Sequence, residues 1–236
     1  TLTSDSNTYG KKLLDPLDKS FSFQFFIDVP KQVNDNQIIL QKKSSLANHM
    51  TIYLSSSNSI ETCNIGMSIT SGTFNLNVSS SLAKGSFKNV SCIYDSNLGE
   101  SKIIIFNTGS NTAETILSSS NRMEFENLSY VNANLNVGYG SQFRIDSSTT
   151  FEPQESLSGS LDELRYFHSE KKLENIINHK DRKIFKTSDL ILKFDFNEPF
   201  GDYDDNDVVF DSGGNNFTTR IKNFNYIKNK QTGSFI

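Results

Sequence analysis

Every second residue from Phe21 to Val29 is apolar: Phe21, Phe23, Phe25, Ile27 and Val29 share one face, with Ser22, Gln24 and Asp28 opposite. Side chains alternate across a strand, so this spacing makes one dry face and one wet face. A chain that carries the pattern repeatedly must bury its dry faces against one another. Pro30 ends the run, since it has no amide for a ladder. The same period returns at Met50, Ile52 and Leu54 (against Thr51 and Tyr53), at Phe74, Leu76 and Val78, at Val90 to Tyr94, at Leu135 to Tyr139 and at Leu161 to Phe167. Ile103 to Phe106 is apolar on both faces and reads as a central strand. Between these runs lie turn residues: Ser55 to Asn58, Ser71-Gly72, Lys84-Gly85, Asp95 to Gly99 and Asn107-Thr108-Gly109. Short strands at this spacing predict an all-β, antiparallel sandwich.

One segment breaks the period. Gly159 to Ile177 runs from a glycine turn through a strand to a polar break and a short amphipathic helix. Ser169 is placed to cap that helix, Glu170 lies in its first turn, and Leu173, Ile176 and Ile177 form its apolar stripe. So short a helix must pack on the sandwich, and we expect it to seal the two layers. After the basic stretch Lys180 to Lys186, alternation resumes at Leu190, Leu192, Phe194 and Phe196, then at Val208 to Phe210. A soft boundary near Thr187 divides a sandwich, 1–186, from C-terminal strands, 187–236. Those strands either complete the sandwich or lead into a next module.

The 236 residues are 35% hydrophobic and include 19 Phe, enough apolar material for a packed core. A net charge of −4 disfavours nucleic acid and anionic membranes as partners, and no apolar run approaches the roughly 20 residues that span a bilayer. The opening Thr1-Leu2-Thr3-Ser4 reads as a piece of a longer polypeptide. Cys63 and Cys92 are each in phase with an apolar face and read as core thiols rather than a disulfide. The sequons at Asn77, Asn89, Asn127 and Asn216 are what an Asn- and Ser-rich chain produces by chance.

Chemistry has few candidates. In Asp202-Tyr203-Asp204-Asp205-Asn206-Asp207, hard oxygens from Asp202, Asp204, Asn206 and Asp207 are spaced as a calcium loop requires. Asp207 replaces the turn glycine of the helix-loop-helix pattern, however, and Gly213 stands at its final glutamate. A solvated acidic loop is the other reading. Strand alternation separates Asp162 from Glu163, which cannot then flank one glycosidic bond; Asp162 is expected to accept turn amides and Glu163 to pair with Arg165. His49, His168 and His179 share no ligand spacing. Tyr53, Tyr130, Tyr139 and Tyr203 are candidates to be exposed and to stack on sugar rings, with Tyr53, Tyr139 and Tyr203 preferred.

Taken in order from about Ser20 to Phe185, these parts resemble the laminin-G-like, concanavalin-A-like jelly-roll family. Ser20–Val29 is similar to its first strand and Ile38-Ile39-Leu40-Gln41-Lys42 to its second. Lys84 to Val90 resembles its turn into a tryptophan-anchored strand, with Phe87 as the aromatic plug in place of Trp. Tyr94-Asp95, Ile103–Gly109, Asn136-Val137-Gly138 and Gly159–Arg165 complete the pattern. Thr108, between Asn107 and Gly109, implies a longer hairpin turn than the two-residue kind. The tail Asn197-Glu198-Pro199 and Asp211-Ser212-Gly213-Gly214-Asn215 is similar to segments flanking such modules in bacterial surface and bacteriophage structural proteins.

The resemblance implies a non-enzymatic, lectin-like module of a larger virion-surface or extracellular assembly, binding cell-surface glycan or serving as a structural unit. A bacteriophage tail or capsid-surface component is the leading reading and a bacterial adhesin module its alternative. Some relatives cleave polysaccharides with Glu-x-Asp-x(x)-Glu on one strand. The nearest match, Lys193-Phe194-Asp195-Phe196-Asn197-Glu198, has lysine at the nucleophile position, which argues against hydrolysis.

Overall fold

The computed structural model describes residues 2–4, 12–130, 133–184, 186–196, 208–215 and 217–221. Among these, one sheet has eight strands in the spatial order β15 (Val208–Phe210), β16 (Thr218–Ile221), β1 (Leu2–Ser4), β10 (Leu135–Val137), β3 (Gln37–Ser45), β4 (Asn48–Ser55), β5 (Thr62–Ser71) and β6 (Phe74–Ala83). The second has six: β14 (Leu190–Phe194), β13 (Ser160–Phe167), β2 (Phe21–Asp28), β7 (Lys88–Asp95), β8 (Glu100–Asn107) and β9 (Ala113–Ser118). A small hairpin joins β11 (Phe143–Arg144) to β12 (Thr150–Phe151). The ladders of both sheets are antiparallel. The fold is the antiparallel sandwich that the alternation predicts.

The dry faces meet as expected. Phe21, Phe23, Phe25 and Ile27 of β2 enter one core with Met50, Ile52 and Leu54 of β4 and Leu76 and Val78 of β6. Within it Phe23 stacks on its cross-strand partner Tyr166, with ring centroids 4.2 Å apart and planes 7° apart. Phe21 meets both rings edge-on. Cys63 and Cys92 are free and buried within this core, and burial pushes the Cys63 thiol up to about 11. The loop from Asn107 to Ala113 is longer than a two-residue turn, as Thr108 implied.

The helix departs from expectation. Helix α1 spans Leu173–His179, and its N-cap is Lys172, which makes no side-chain capping bond. Ser169 instead donates its hydroxyl to Asp189, and its carbonyl accepts from Ser22. Nor does α1 seal the two layers. Ile176 packs on Ile93, Ile104 and Phe106, which make the outer face of β7 and β8 apolar. That face needs a cover, and the helix supplies one; Leu173 stays 38% exposed.

Two more details correct the sequence reading. A register shift between Tyr166 and Phe167 leaves Leu190 opposite Phe167 and admits Ile191 to the core beside Leu192 and Phe194. Phe87 is half-buried and stands outside the core cluster.

Beyond Thr187, β14 pairs with β13, and β16 pairs with β1. The Asp211–Asn215 motif ties these strands together. Asp211 accepts the backbone amides of Lys193 (3.0 Å), Gly213 (2.8 Å), Asn215 (3.2 Å) and Phe217 (3.3 Å), while the Asn215 side-chain amide donates to the carbonyls of Leu190 and Ile191. A Cβ on Gly213 would lie 2.8 Å from Asp211 Oδ1, so the loop closes only around glycine.

Two outcomes follow. Phe23→Ala removes a fully buried ring and should cost about 3–5 kcal/mol in denaturant unfolding, whereas Ile60→Ser, at a 65% exposed site, should change stability by less than about 0.5 kcal/mol. Asp211→Ala strips four amides of their acceptor. It should speed hydrogen exchange across β14–β16 by about tenfold or more while leaving β2–β8 protected.

Candidate functional site

With the inner faces consumed by the core, function must use an outer face, an edge or a loop. On the eight-stranded sheet β4 turns His49, Thr51 and Tyr53 outward, opposite Met50, Ile52 and Leu54. Across the ladders β5 contributes Asn64, Gly66, Ser68 and Thr70, and β6 contributes Asn75, Asn77, Ser79 and Ser81. This face is polar and carries no carboxylate.

The β11–β12 hairpin covers part of it. Phe143 and Phe151 stack at 5.0 Å and hold Tyr53 at 5.3 and 4.7 Å, with Ile38 completing a second apolar cluster. Polar pins fix the hairpin and its approach. Gln41 donates to the Ser141 carbonyl and accepts the Ser141 amide, both at 2.9 Å, and Lys43 donates to the Gln142 carbonyl at 2.7 Å. Asn75 donates to the Ile145 carbonyl. His49 Nε2 lies 2.9 Å from the Arg144 carbonyl and Nδ1 lies 3.1 Å from the Thr51 hydroxyl. Burial lowers the His49 pKa to about 4, so the ring is neutral, with Nε2 donating and Nδ1 accepting.

Tyr53 leans from this wall across Gly66, where a Cβ would lie 2.2 Å from Tyr53 Cζ, and donates its hydroxyl to Asn77 Oδ1 at 3.1 Å. Beyond it the face is open: Asn64, Ser79 and Ser81 are exposed and Asn77 is half-buried. Wall and floor make a step lined by amides and hydroxyls. Such groups both donate and accept, and they suit a neutral ligand rich in hydroxyls.

The tyrosines are not arranged as expected. Tyr53 is 4% exposed and Tyr130 is fully buried, so neither offers a ring face to solvent; the covering rings Phe143 and Phe151 lie about 90 residues away in sequence. Tyr139 is 45% exposed, between β10 and β11, and its ring packs on none of the Tyr53 cluster. Tyr203 and the acidic loop Asp202, Asp204, Asn206 and Asp207 lie outside the described residues. Among those described, no three His, Cys, Asp or Glu side chains converge as metal ligands. His49, His168 and His179 remain apart: His49 under the hairpin, His168 against Tyr166, His179 in α1. The hairpin was not foreseen, although Asp146 caps its turn by accepting the amides of Ser148 and Thr149, an Asx signal visible in Asp146-Ser147-Ser148-Thr149.

A second polar cluster lies on the outer face of the six-stranded sheet. Glu163 has φ +50°, and the register shifts between Asp162 and Arg165. This bulge sets Asp162 opposite Phe26 and Arg165 opposite Gln24, on one and the same face. Asp162 and Glu163 are therefore not separated as strict alternation predicts. Asp162 Oδ1 accepts the Glu163 amide at 2.8 Å, and Glu163 pairs with Arg165 at 2.9 Å, both as expected. Arg165 also donates to the carbonyls of His179 and Arg182, fastening the end of α1 to the sheet. Lys193 pairs with Asp195 at 2.6 Å. Desolvation, with Glu163 and Asp195 nearby, raises the Asp162 pKa. Desolvation acts the same way on Asp195, but hydrogen bonds from Lys193 and Ser212 outweigh it and hold that carboxyl below its usual range.

No family model matches the chain, and no curated protein matches it. Solved structures do. A candidate carbohydrate-binding protein from Bacteroides ovatus superposes with TM-score 0.58 at 15% identity over 86% of this chain and 52% of its own. The present chain thus spans about half the length of that protein. A full-length tailspike protein of an Escherichia coli bacteriophage gives TM-score 0.50 at 11% identity over 75% of this chain and 24% of its own. A mouse laminin α1 fragment gives 0.46 at 12% identity, over 73% and 40%. With the two packed antiparallel sheets already in view, the chain shares the fold of the Bacteroides protein, a two-sheet antiparallel β-sandwich.

Proposed function

We propose that this chain is a glycan-recognising module without catalytic chemistry, working at an extracellular or virion surface as part of a larger assembly. The observation that carries the reading is the open step on the eight-stranded sheet: an uncharged floor of Asn64, Asn77, Ser79 and Ser81 against the wall made by Tyr53 and the β11–β12 hairpin. The floor sits on rigid strands, so its amides and hydroxyls are held in place before a ligand arrives, which lowers the ordering cost of binding. Support also comes from the company the fold keeps: a candidate carbohydrate-binding protein, and a tailspike in which such a sandwich occupies about a quarter of the chain. A phage tail or capsid-surface component is favoured over a bacterial adhesin, and calcium at Asp202, Asp204, Asn206 and Asp207 belongs to the same reading.

One observation favours a second reading. The bulge at Glu163 gathers Asp162, Glu163 and Asp195 on one face, and desolvation raises the Asp162 pKa, the direction a general acid requires. Against hydrolysis, Arg165 and Lys193 engage the other two carboxylates.

A glycan array read with and without chelator tests the first reading. Wild-type protein should bind a discrete set of glycans, and Asn77→Ala/Ser81→Ala, which deletes two floor groups, should weaken binding about 10- to 30-fold. Absence of binding in both conditions would leave only the structural-unit role. Reducing-end release from a polysaccharide panel tests the second reading: none is expected, and release that Asp195→Asn abolishes would reverse the non-enzymatic assignment.

A further inference from the structure

Strand β6 ends the eight-stranded sheet and is the least protected edge among the described strands. Its ten residues, Phe74 to Ala83, contain no charge, proline or glycine, and they pair with β5 throughout without a register shift. Natural edges are usually blunted by charge, proline, bulges or brevity. The other described edges follow that rule: β9 carries Glu114 beside a register shift, β14 carries Lys193, and β15 has three residues.

The outward groups of β6 can be assigned. The Asn75 carbonyl accepts from the Asn121 side chain at 3.2 Å, so it points away from β5. In an antiparallel ladder that direction alternates, so Asn77, Ser79 and Ser81 also present their amides and carbonyls outward. These are the same residues whose side chains line the floor of the step.

We infer that β6 is the site where a second copy of this chain docks, by antiparallel β6–β6 pairing about a two-fold axis near Ser79. Pairing there sets Ser79 against its own counterpart and Asn77 against Ser81 of the other copy, forming about six backbone hydrogen bonds. An antiparallel strand pair is self-complementary under a two-fold, and an uncharged strand meets no like-charge repulsion from its copy. The two eight-stranded sheets become continuous, and the two polar floors meet at the axis. The dimer itself does not depend on glycan binding; its consequence, two adjoining sites and hence avidity, rests on the reading of the step given above.

Sedimentation of the full chain from about 1 to 200 μM tests this, a range suited to a small interface. Wild type should move from monomer toward dimer. Ser79→Pro removes one outward amide and no bond to β5, so it should keep the wild-type circular dichroism and melting temperature yet remain monomeric. Ser79→Lys sets like charges directly opposite each other at the axis and should also remain monomeric, which keeps the test decisive should the proline variant misfold. A wild type that is monomeric throughout overturns the inference, as does dimerisation undiminished in the folded variants. Glycan arrays on the wild-type protein separate the two proposals: a monomer that binds glycan overturns the dimer alone, and a dimer that binds none overturns the reading of the step alone.

Discussion

The two sheets stand only because their inner faces interlock, and Phe21, Phe23 and Phe25 of β2, with Tyr166 stacked on Phe23, supply much of the six-stranded sheet's share. Strand β2 lies between β13 and β7, and its partners come from about 70 and 140 residues further along the chain. Burying each phenylalanine ring contributes about 2–3 kcal/mol, and no short-range contact could hold strands so distant in sequence. The price is non-local order, paid before the core rewards it.

A sandwich has two further faces, and they are finished differently. Behind the six-stranded sheet, Ile93, Ile104 and Phe106 are too apolar to meet water, so α1 covers them, and Arg165 clasps the end of that helix through two backbone carbonyls. Behind the eight-stranded sheet the cover stops short. Phe143 and Phe151 shield Tyr53 and Ile38, but β5 and β6 continue past the hairpin with asparagine and serine side chains directed outward. The open step is thus the part of this face that the hairpin leaves uncovered. It is polar because no described element covers it, and the strands beneath it are held by the core.

How much of this was legible follows from the range of each interaction. Alternation is local, so β2, β4, β6, β7, β8 and β13 could be read almost directly, as could the pairing of Glu163 with Arg165. A bulge is a single residue out of phase, and nothing in Ser160–Phe167 announces that Glu163 adopts φ +50°. That one residue decides whether Asp162 and Glu163 share a face. Tyr53 looked like an exposed aromatic because its covers arrive from residues 143 and 151, beyond any local window. Lys42 gave no sign of being buried. It is, with Asp15 at 3.3 Å and the Ala133 carbonyl at 2.7 Å, in a place where strand period alone predicts an apolar residue. An ion pair so enclosed contributes little net stability over an apolar pair, but breaking it leaves a charge stranded, so it fixes where the segment around Asp15 must lie.

Gly66 shows how the site depends on a residue that sequence reading passes over. In an interior strand glycine forfeits stability, since it orders a flexible backbone and packs nothing. Here the missing side chain is the space that Tyr53 occupies on its way to Asn77. The phenol thereby bridges β4 to β6 across β5 and orients the Asn77 amide at the border between wall and floor. A cost in intrinsic strand preference at one position is exchanged for a fixed donor–acceptor array on the neighbouring strand. Such an exchange makes sense where an outer face must recognise something rather than merely stay soluble.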